Sequence, residues 1–280
     1  MNADLHCHST ESDGTLSPAE VAKRAAANGV SLWTLTDHDT VRGLPEARDV
    51  AQAAGMRFLN GIEISVTWNF QTLHIVGLDI NPDDPSLARG LARIRASRQG
   101  RAEKIADQLT AAGVTGSLDG AHALAQNPDL IGRTHFARFL ISRGYARNMS
   151  DVFQRYLAPG RVGGVPHQWA ELAEAVGWIR ASGGVATLAH PGRHKLARAQ
   201  LVRLIEEFKA CGGAAIEVIT ASHSQDEATD FASLCRAHGL LASRGSDFHN
   251  PADARYDLGN LPALPNSVTP VWSLFAGAPA

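Results

Sequence analysis

Cysteine is scarce in this chain of 280 residues, which contains only Cys7, Cys211 and Cys235. Three widely spaced cysteines supply neither a disulfide framework nor a C-x-x-C zinc site. We therefore expect a reducing compartment, the cytoplasm. Histidine is plentiful by contrast, because 12 residues are a generous number for this length and several of them stand beside carboxylates.

The chain also lacks long apolar runs and a charge excess of either sign. No apolar run reaches the roughly 18 residues of a membrane span, and the N-terminus has no charged leader followed by an apolar stretch. We expect neither a membrane partner nor secretion, and the sequence indicates no obligate protein partner. The net charge of −2 argues against a general nucleic-acid coat, although a local basic pocket is compatible with it.

Hydrophobic periodicity and chain breakers predict strands that alternate with helices. The predicted strands cover residues 2–7, 31–36, 56–64, 72–79, 184–189, 214–219 and 240–246. The predicted helices cover residues 18–29, 43–54, 168–182, 195–211 and 224–238, and Ser17 with Glu20 forms a capping box before the first. This alternation indicates an α/β fold with a parallel sheet, and seven repeats indicate a closed or nearly closed barrel.

Residues 86–170 interrupt the alternation, because helix-forming segments there follow one another directly. We interpret residues 99–170 as a helical insertion that caps the mouth of the barrel and holds the substrate. The metal-binding barrel then comprises residues 1–98 and 171–280.

Metal-type ligands collect at the ends of the predicted strands, where barrels of this kind carry their functional residues. The opening stretch "ADLHCHSTESDG" shows the pattern, since two histidines two apart on a strand share one face. Five of the seven predicted strands deliver such a ligand, and His74 is the exception because it lies inside its strand. Each residue alone has an ordinary structural explanation, but together they favour a metal site. The candidates are His6, His8, Asp13, His38, Glu63, His74, His190, Asp247 and His249.

Nine nitrogen and oxygen ligands are too many for one ion and suit two or three divalent cations, with Glu63 as the natural bridge. Mixed imidazole and carboxylate ligands fit Mn²⁺, our first expectation, or Fe²⁺ or Zn²⁺, better than Ca²⁺ or Mg²⁺. Such a cluster lowers the pKa of a bound water and clamps a phosphoryl group. The sequence therefore predicts hydrolysis of a phosphate ester.

The segments "DLHCHS", "SDG", "LTDHDT", "GIEIS", "LAHPG" and "SDFH" resemble the motifs of the PHP (polymerase and histidinol phosphatase) superfamily. The resemblance implies a distorted (β/α)7 barrel with three metals and a metal-bridging hydroxide as nucleophile, so no separate catalytic side chain is assigned. It implies a first metal on His6, His8, Glu63 and Asp247. The second would take Glu63, His74 and His190, and the third Asp13, His38 and His249.

The insertion, with "GRTHFARFL", is similar to that of a bacterial subgroup of 3′,5′-nucleoside bisphosphate phosphatases and 5′-to-3′ exoribonucleases. Thr134 replaces the proline of the usual G-R-P-H, and "GRVGGVP" stands where an aromatic-containing segment is usual. The resemblance implies removal of the 3′-phosphate of a nucleoside 3′,5′-bisphosphate to leave AMP from the adenosine compound. The main alternatives are an exoribonuclease on short RNA and a non-catalytic metal-binding module. Histidinol phosphate is a less favoured substrate, and "DHD" with "SDFH" does not fit an amidohydrolase.

Basic residues of the insertion and the rim are the candidates for substrate binding. Arg133, Thr134 and His135 stand at a predicted helix start, where backbone N–H groups favour an anion. Arg98, Arg101 and Lys104 recur at intervals of three and share one side of a helix, which is either a solvated face or a basic lip that holds a second phosphate. Arg193 and His194 follow "AHPG" and would contact the phosphate that is cleaved.

Overall fold

The computed structural model describes residues 1–252 and 254–275, so the predicted barrel segment 171–280 includes six residues that lie outside the described part. The strands are β1 Ala3–Asp4, β2 Leu32–Leu35, β3 Arg57–Trp68, β4 Gln71–Leu78, β5 Ala170–Glu171, β6 Val185–Leu188, β7 Ala215–Ile219 and β8 Leu241–Arg244. The α-helices are α1 Pro18–Ala27, α2 Leu44–Ala53, α3 Pro85–Ala111, α4 Ser117–Leu124, α5 Arg133–Ser142, α6 Met149–Val152, α7 Leu172–Ala181, α8 Arg198–Ala210 and α9 Gln225–His238.

The strands form one sheet in the order β1-β2-β3-β4-β6-β7-β8, and β5 pairs with the outer part of β3. The prediction of a parallel sheet is wrong at β4, which runs antiparallel to both β3 and β6. The reason is the connection between β3 and β4, a turn of two residues. A parallel partner would need a crossover of about a dozen residues.

Backbone hydrogen bonds between the first and the last strand nearly close the sheet into a barrel. The amide of Leu5 donates to the carbonyl of Arg244 at 3.0 Å, and the amide of Asp247 donates to the carbonyl of His6 at 2.8 Å. The two segments that carry "HCH" and "SDFH" are therefore neighbours, although they are about 240 residues apart in the chain. This closure brings these two segments to one rim of the barrel.

Local sequence signals explain where the barrel helices begin and end. Ser17 caps α1 by accepting from the amide of Glu20, whose carboxylate accepts from the amide of Ser17 in return. Helix α9 has the same capping box at Ser224 and ends at Gly239, where φ is +63°. Val21, Ala22 and Ala25 of α1 are buried on the barrel side, as the amphipathic pattern requires.

Most of the insertion has a hydrophobic core of its own. Helix α3 is a continuous helix of 27 residues that starts beside the barrel, where Leu87 and Leu91 belong to the barrel core. Its second half supplies Ile105 and Leu109 to a separate apolar cluster with α5 and the turn that follows α6. The proposed boundary near residue 99 thus falls inside one helix. Among the described residues, no helix has both the length and the apolar character that a membrane crossing requires.

Candidate metal centre and substrate cleft

The nine predicted ligands meet at one rim of the barrel, around the buried carboxylate of Glu63 on β3. Five imidazoles surround this carboxylate. Its Oε2 lies 3.2 Å from His6 Nε2, 3.2 Å from His8 Nε2 and 3.0 Å from His38 Nδ1, and its Oε1 lies 2.9 Å from His74 Nδ1 and 3.0 Å from His190 Nε2. Because β4 is antiparallel, His74 reaches this rim from within its strand, opposite Ser65 of β3.

Two aspartates flank Glu63. Asp13 Oδ1 lies 3.2 Å from His249 Nε2 and 3.9 Å from His38 Nε2. Asp247 Oδ1 lies 3.4 Å from His8 Nε2. The ligand-type atoms fall into four overlapping groups, each within 4.8 Å: His8, Asp13, His38 and His249; His6, His190 and Asp247; His6, His8 and Glu63; His38, Glu63 and His74.

The electrostatics of the cluster keep its carboxylates ionised. Burial acts to raise the pKa of Glu63, but attraction to His38 and His74 outweighs burial and holds the pKa well below its usual range. The pKa of Asp13 is lowered in the same way, with His249 as the main attractive partner that outweighs burial. For Asp247, burial again opposes ionisation, and the guanidinium of Arg193 with its Nη1 3.2 Å from Oδ2 outweighs it. Three carboxylates that are wholly or largely removed from water in one place need cationic partners.

The donor set fits divalent cations. Several buried ligand atoms lie close to one another but form no hydrogen bond of normal geometry among the described residues: Glu63 Oε2, Asp13 Oδ1, Asp247 Oδ1, His38 Nδ1 and His190 Nδ1. Buried polar atoms are normally paired, so such a concentration of exceptions requires an explanation. In addition, His6 Nε2 and His8 Nε2 face each other at 3.1 Å beside two carboxylates, as the ligands of a shared cation do. Imidazole and carboxylate ligands without thiolate suit Mn²⁺, Fe²⁺ or Zn²⁺.

Two buried carboxylates that the sequence analysis missed hold the ligands in place. Glu217 on β7 accepts from His6 Nδ1 at 2.7 Å and from the backbone amide of His190 at 2.6 Å. Asp37 accepts from the amide and hydroxyl of Ser9 and from the hydroxyl of Ser12, and so fixes the loop that carries Asp13. A signal for Glu217 existed, because a lone carboxylate within "AIEVI" repeats the pattern of Glu63 within "GIEIS".

The backbone at the rim is strained where it presents ligands. His190 has φ +26° and Asp247 has φ +53°, in a region that only glycine adopts freely. Hydrogen bonds to Glu217 and to His6 hold these two residues there. Strain of this kind concentrates at functional sites, where the surrounding structure enforces it.

The predicted substrate residues have different surroundings. Arg101 and Arg133 line a cleft of about 2290 Å³ that is also lined by His74, Asp247 and His249. The cleft therefore reaches the nine predicted metal-binding residues, which we call the ligand cluster. Arg101 lies over the ring of Trp169 at 5.2 Å, and Arg133 lies over that of Phe153 at 5.5 Å. Burial, with the neighbouring arginines second, lowers the pKa of Arg101 to about 9.

Other predicted substrate residues contact protein groups. Arg98 is buried and paired with Asp39, and the hydroxyl of Thr134 donates to Asp13 Oδ2 at 2.8 Å. His135 Nδ1 accepts from the amide of Gly132, and burial lowers the pKa of His135 to about 4. Lys104 is exposed on α3.

Arg193 and His194 lie on the turn after β6 and line the cleft. Burial, with His190 second, lowers the pKa of His194 to about 3, so its imidazole is neutral at physiological pH. The guanidinium of Arg193 pairs with Asp247 at 3.2 Å. The structure therefore places the guanidinium of Arg193 directly beside the ligand cluster.

Comparison with known proteins agrees with this architecture. The model of the PHP domain matches residues 4–221. This chain belongs to the PHP domain family. The predicted membership and the predicted α/β barrel are confirmed. This PHP chain is 50% identical over 271 residues to a 3′,5′-nucleoside bisphosphate phosphatase of Chromobacterium violaceum, covering 97% of this chain and 95% of that protein.

A further relative and two solved structures that are similar to this chain are named for other activities. The PHP chain is 42% identical over 274 residues to the 5′-3′ exoribonuclease Rnm of Escherichia coli, covering 97% of this chain and 93% of that protein. A solved structure of an amidohydrolase from Chromobacterium violaceum, with bound sulfate and no metal, is 49% identical with a TM-score of 0.95, covering 98% of this chain and 95% of that one. A solved structure from Bifidobacterium adolescentis, named "putative metal-dependent phosphoesterase", is 25% identical with a TM-score of 0.81, covering 97% of this chain and 93% of that one.

Proposed function

We propose that this protein is a metal-dependent phosphatase that removes the 3′-phosphate of nucleoside 3′,5′-bisphosphates. The observation that supports the substrate class best is the 50% identity to the Chromobacterium violaceum 3′,5′-nucleoside bisphosphate phosphatase over nearly the whole of both chains. The cluster around Glu63 and the arginines of the cleft supply the ligand types that this reaction needs. We expect the enzyme in the cytoplasm, since its three cysteines are free thiols.

The nine residues of the cluster would hold two or three divalent cations, for which Mn²⁺ is our first proposal and Fe²⁺ or Zn²⁺ the alternatives. Glu63 is the proposed bridging ligand, because both of its oxygens face imidazoles on different sides. When bound, such cations lower the pKa of coordinated water and neutralise charge on a phosphoryl group. The division of the ligands among the ions follows the resemblance and stays a prediction.

The arginines of the cleft would select a substrate with a second phosphate. Among the described residues, neither Arg101 nor Arg133 forms an ion pair with a carboxylate, and both have lowered pKa values, chiefly because of burial and then because of neighbouring arginines. A phosphate placed between them would relieve that repulsion and accept charge-assisted hydrogen bonds. Arg193, beside Asp247, would orient the phosphate that is cleaved.

The proposal is tested by incubating Mn²⁺-loaded protein with adenosine 3′,5′-bisphosphate and identifying the products. We expect equal amounts of AMP and inorganic phosphate, and no release after treatment with a chelator. Formation of adenosine 3′-phosphate would show that the other ester is cleaved. Stoichiometric metal binding without phosphate release from any ester would support the non-catalytic module instead.

An exoribonuclease acting on short RNA is the second candidate, because the cleft is large. Its volume of about 2290 Å³ exceeds the roughly 300–1,000 Å³ of most small-molecule sites. The relatives from Escherichia coli and Haemophilus influenzae that are 42% and 40% identical are both named 5′-3′ exoribonucleases. A 5′-phosphorylated RNA trimer in the same assay separates the two activities, since successive release of nucleoside monophosphates would identify the exoribonuclease.

A further inference from the structure

The hairpin between β3 and β4 presents an aromatic ring at the mouth of the cleft. Asn69 and Phe70 form its two-residue turn, between the paired residues Trp68 and Gln71. The ring belongs to Phe70, which is 99% exposed and lines the cleft. Among the large hydrophobic residues described, none is more exposed.

The conformation of the turn is unfavourable for phenylalanine. Asn69 has φ +46° and Phe70 has φ +62°, so both central residues occupy the left-handed region. A two-residue turn of this kind favours Asn-Gly, because asparagine tolerates positive φ and glycine has no Cβ. A bulky residue at positive φ is an outlier, and an exposed ring gains no packing energy in return. No packing contact of the ring within the described part of the protein offsets this backbone strain, which points to a contact between the ring and a bound molecule.

A row of polar side chains connects the ligand cluster with this ring. Ser65 and His74 pair across the hairpin, and Thr67 pairs with Thr72 one step further out. These four residues line the cleft, as Phe70 does. Phe70 lies four residues before His74, which is about 13 Å along a strand.

Trp169, a neighbouring aromatic residue, is not accessible for stacking on a bound molecule. Trp169 is 8% exposed, and its backbone amide and indole N–H are bonded to the hydroxyls of Thr67 and Thr72. The guanidinium groups of Arg98 and Arg101 cover its ring at 4.8 and 5.2 Å. Trp68 is likewise buried, under the guanidinium of Arg203. Of these three aromatic residues that line the cleft, Phe70 is the one whose ring is exposed.

We propose that Phe70 stacks on a nucleobase of the substrate. The inference rests on the proposed function, because a nucleotide with one phosphate at the ligand cluster directs its base along the cleft. Stacking on an aromatic side chain tolerates every base, since each base has a π-face. Phe70 therefore contributes affinity for nucleotides over sugar phosphates without selecting adenine, guanine, cytosine or uracil.

The test compares two variants that preserve the turn. Phe70→Gly removes the ring and suits φ +62°, and Phe70→Tyr is the matched control that keeps an aromatic face. Calorimetry on the metal-loaded proteins measures the affinity for AMP and for ribose 5-phosphate, neither of which carries a 3′-phosphate. We expect Phe70→Gly to weaken AMP binding about tenfold, Phe70→Tyr to stay within about twofold of the natural protein, and ribose 5-phosphate to bind all three proteins equally.

Several results would overturn the inference. These are unchanged AMP affinity in Phe70→Gly, an equal loss for both ligands, an equal loss in Phe70→Tyr, or natural protein that does not prefer AMP to ribose 5-phosphate. The binding measurement needs no turnover, so it is separate from the test of the proposed function. If phosphate is never released but Phe70→Gly still loses AMP selectively, the proposed reaction is wrong and the stacking contact stands.

Discussion

Glu217 connects two predicted ligands that are distant in the chain, because one oxygen lies 2.7 Å from His6 Nδ1 and the other accepts from the amide of His190 at 2.6 Å. With a cation bound, His6 would be neutral, would donate its Nδ1–H to Glu217 and would offer the lone pair of Nε2 to the cation. Carboxylates in this position orient metal-binding histidines and increase their basicity. Glu217 thus supports the cluster although none of its atoms faces Glu63 in the contacts described.

Replacing Glu217 by glutamine should weaken metal binding while the protein stays folded. Glutamine has the same size, but it cannot accept both hydrogen bonds as an anion does. We expect the affinity for Mn²⁺ to fall about 10- to 100-fold in a calorimetric titration. Glu206→Gln, at an exposed position of α8, is the matched control and should bind like the natural protein. Equal affinities in the two variants would show that Glu217 does not support the metal site.

Replacing Arg133 by alanine should impair substrate binding and leave the metal content unchanged. Arg133 lines the cleft at the start of α5, whereas Arg143 is exposed at the end of the same helix and serves as the control. A hydrogen bond to a charged group contributes about 1.5–3 kcal/mol, so KM for adenosine 3′,5′-bisphosphate should rise about 10- to 100-fold. Unaltered KM in Arg133→Ala would contradict the proposed role of the cap.

Replacing Asp39 by asparagine should destabilise the protein, because it removes the counter-charge of a buried arginine. Asp39 pairs with Arg98 and also accepts from the amide and hydroxyl of Ser65 at 2.8 and 2.9 Å. Breaking a buried ion pair by removing one partner costs about 3–5 kcal/mol. Urea unfolding of Asp39→Asn measures the loss, and Asp49→Asn on the exposed face of α2 should stay within about 0.5 kcal/mol of the natural protein. A loss no larger than that of the control would rule out a structural role for this pair.

The imidazole of His167 should take up its proton at a lower pH than an ordinary histidine, near pH 4. Burial, followed by the charges of Arg101 and Arg98, lowers its pKa from 6.5 to about 4. Between these two values the unfolded chain binds a proton at His167 that the folded protein does not, so this residue makes stability decrease as the pH falls from 6.5 towards 4. An NMR titration compared with that of His167→Gln identifies the signal. A midpoint near the ordinary histidine pKa would show that burial and the neighbouring arginines do not disfavour the protonated imidazole in the folded protein.

The ends of the strands could be predicted from the sequence because apolar runs that stop at His, Asp or Glu are a local signal. The direction of β4 was missed, since the third predicted strand ended at Ile64 and the fourth began at Thr72, which left a gap that hid the two-residue turn. That gap was already too short for the crossover of a dozen residues between parallel strands, so it contained the evidence for a hairpin. The position of His74 within its strand follows from the same reversal.

For Arg98, Arg101 and Lys104, only a shared helix face could be predicted from the sequence. The spacing of Arg98, Arg101 and Lys104 defines one side of α3, but it does not indicate which residue meets a buried carboxylate, which meets the cleft and which meets solvent. These outcomes depend on Asp39 and on Trp169, which are distant in sequence. Tertiary contacts of this kind leave no periodic signal.

The most direct test of the central claim is an anomalous-scattering map from crystals of the Mn²⁺-loaded protein, measured for the natural chain and for Glu63→Gln. The account predicts two or three peaks, each about 2.0–2.3 Å from imidazole nitrogens and carboxylate oxygens of the cluster, with one pair bridged by Glu63. It also predicts that peaks weaken or vanish in Glu63→Gln. Crystals of metal-replete protein without peaks among His6, Glu63 and Asp13 would contradict it.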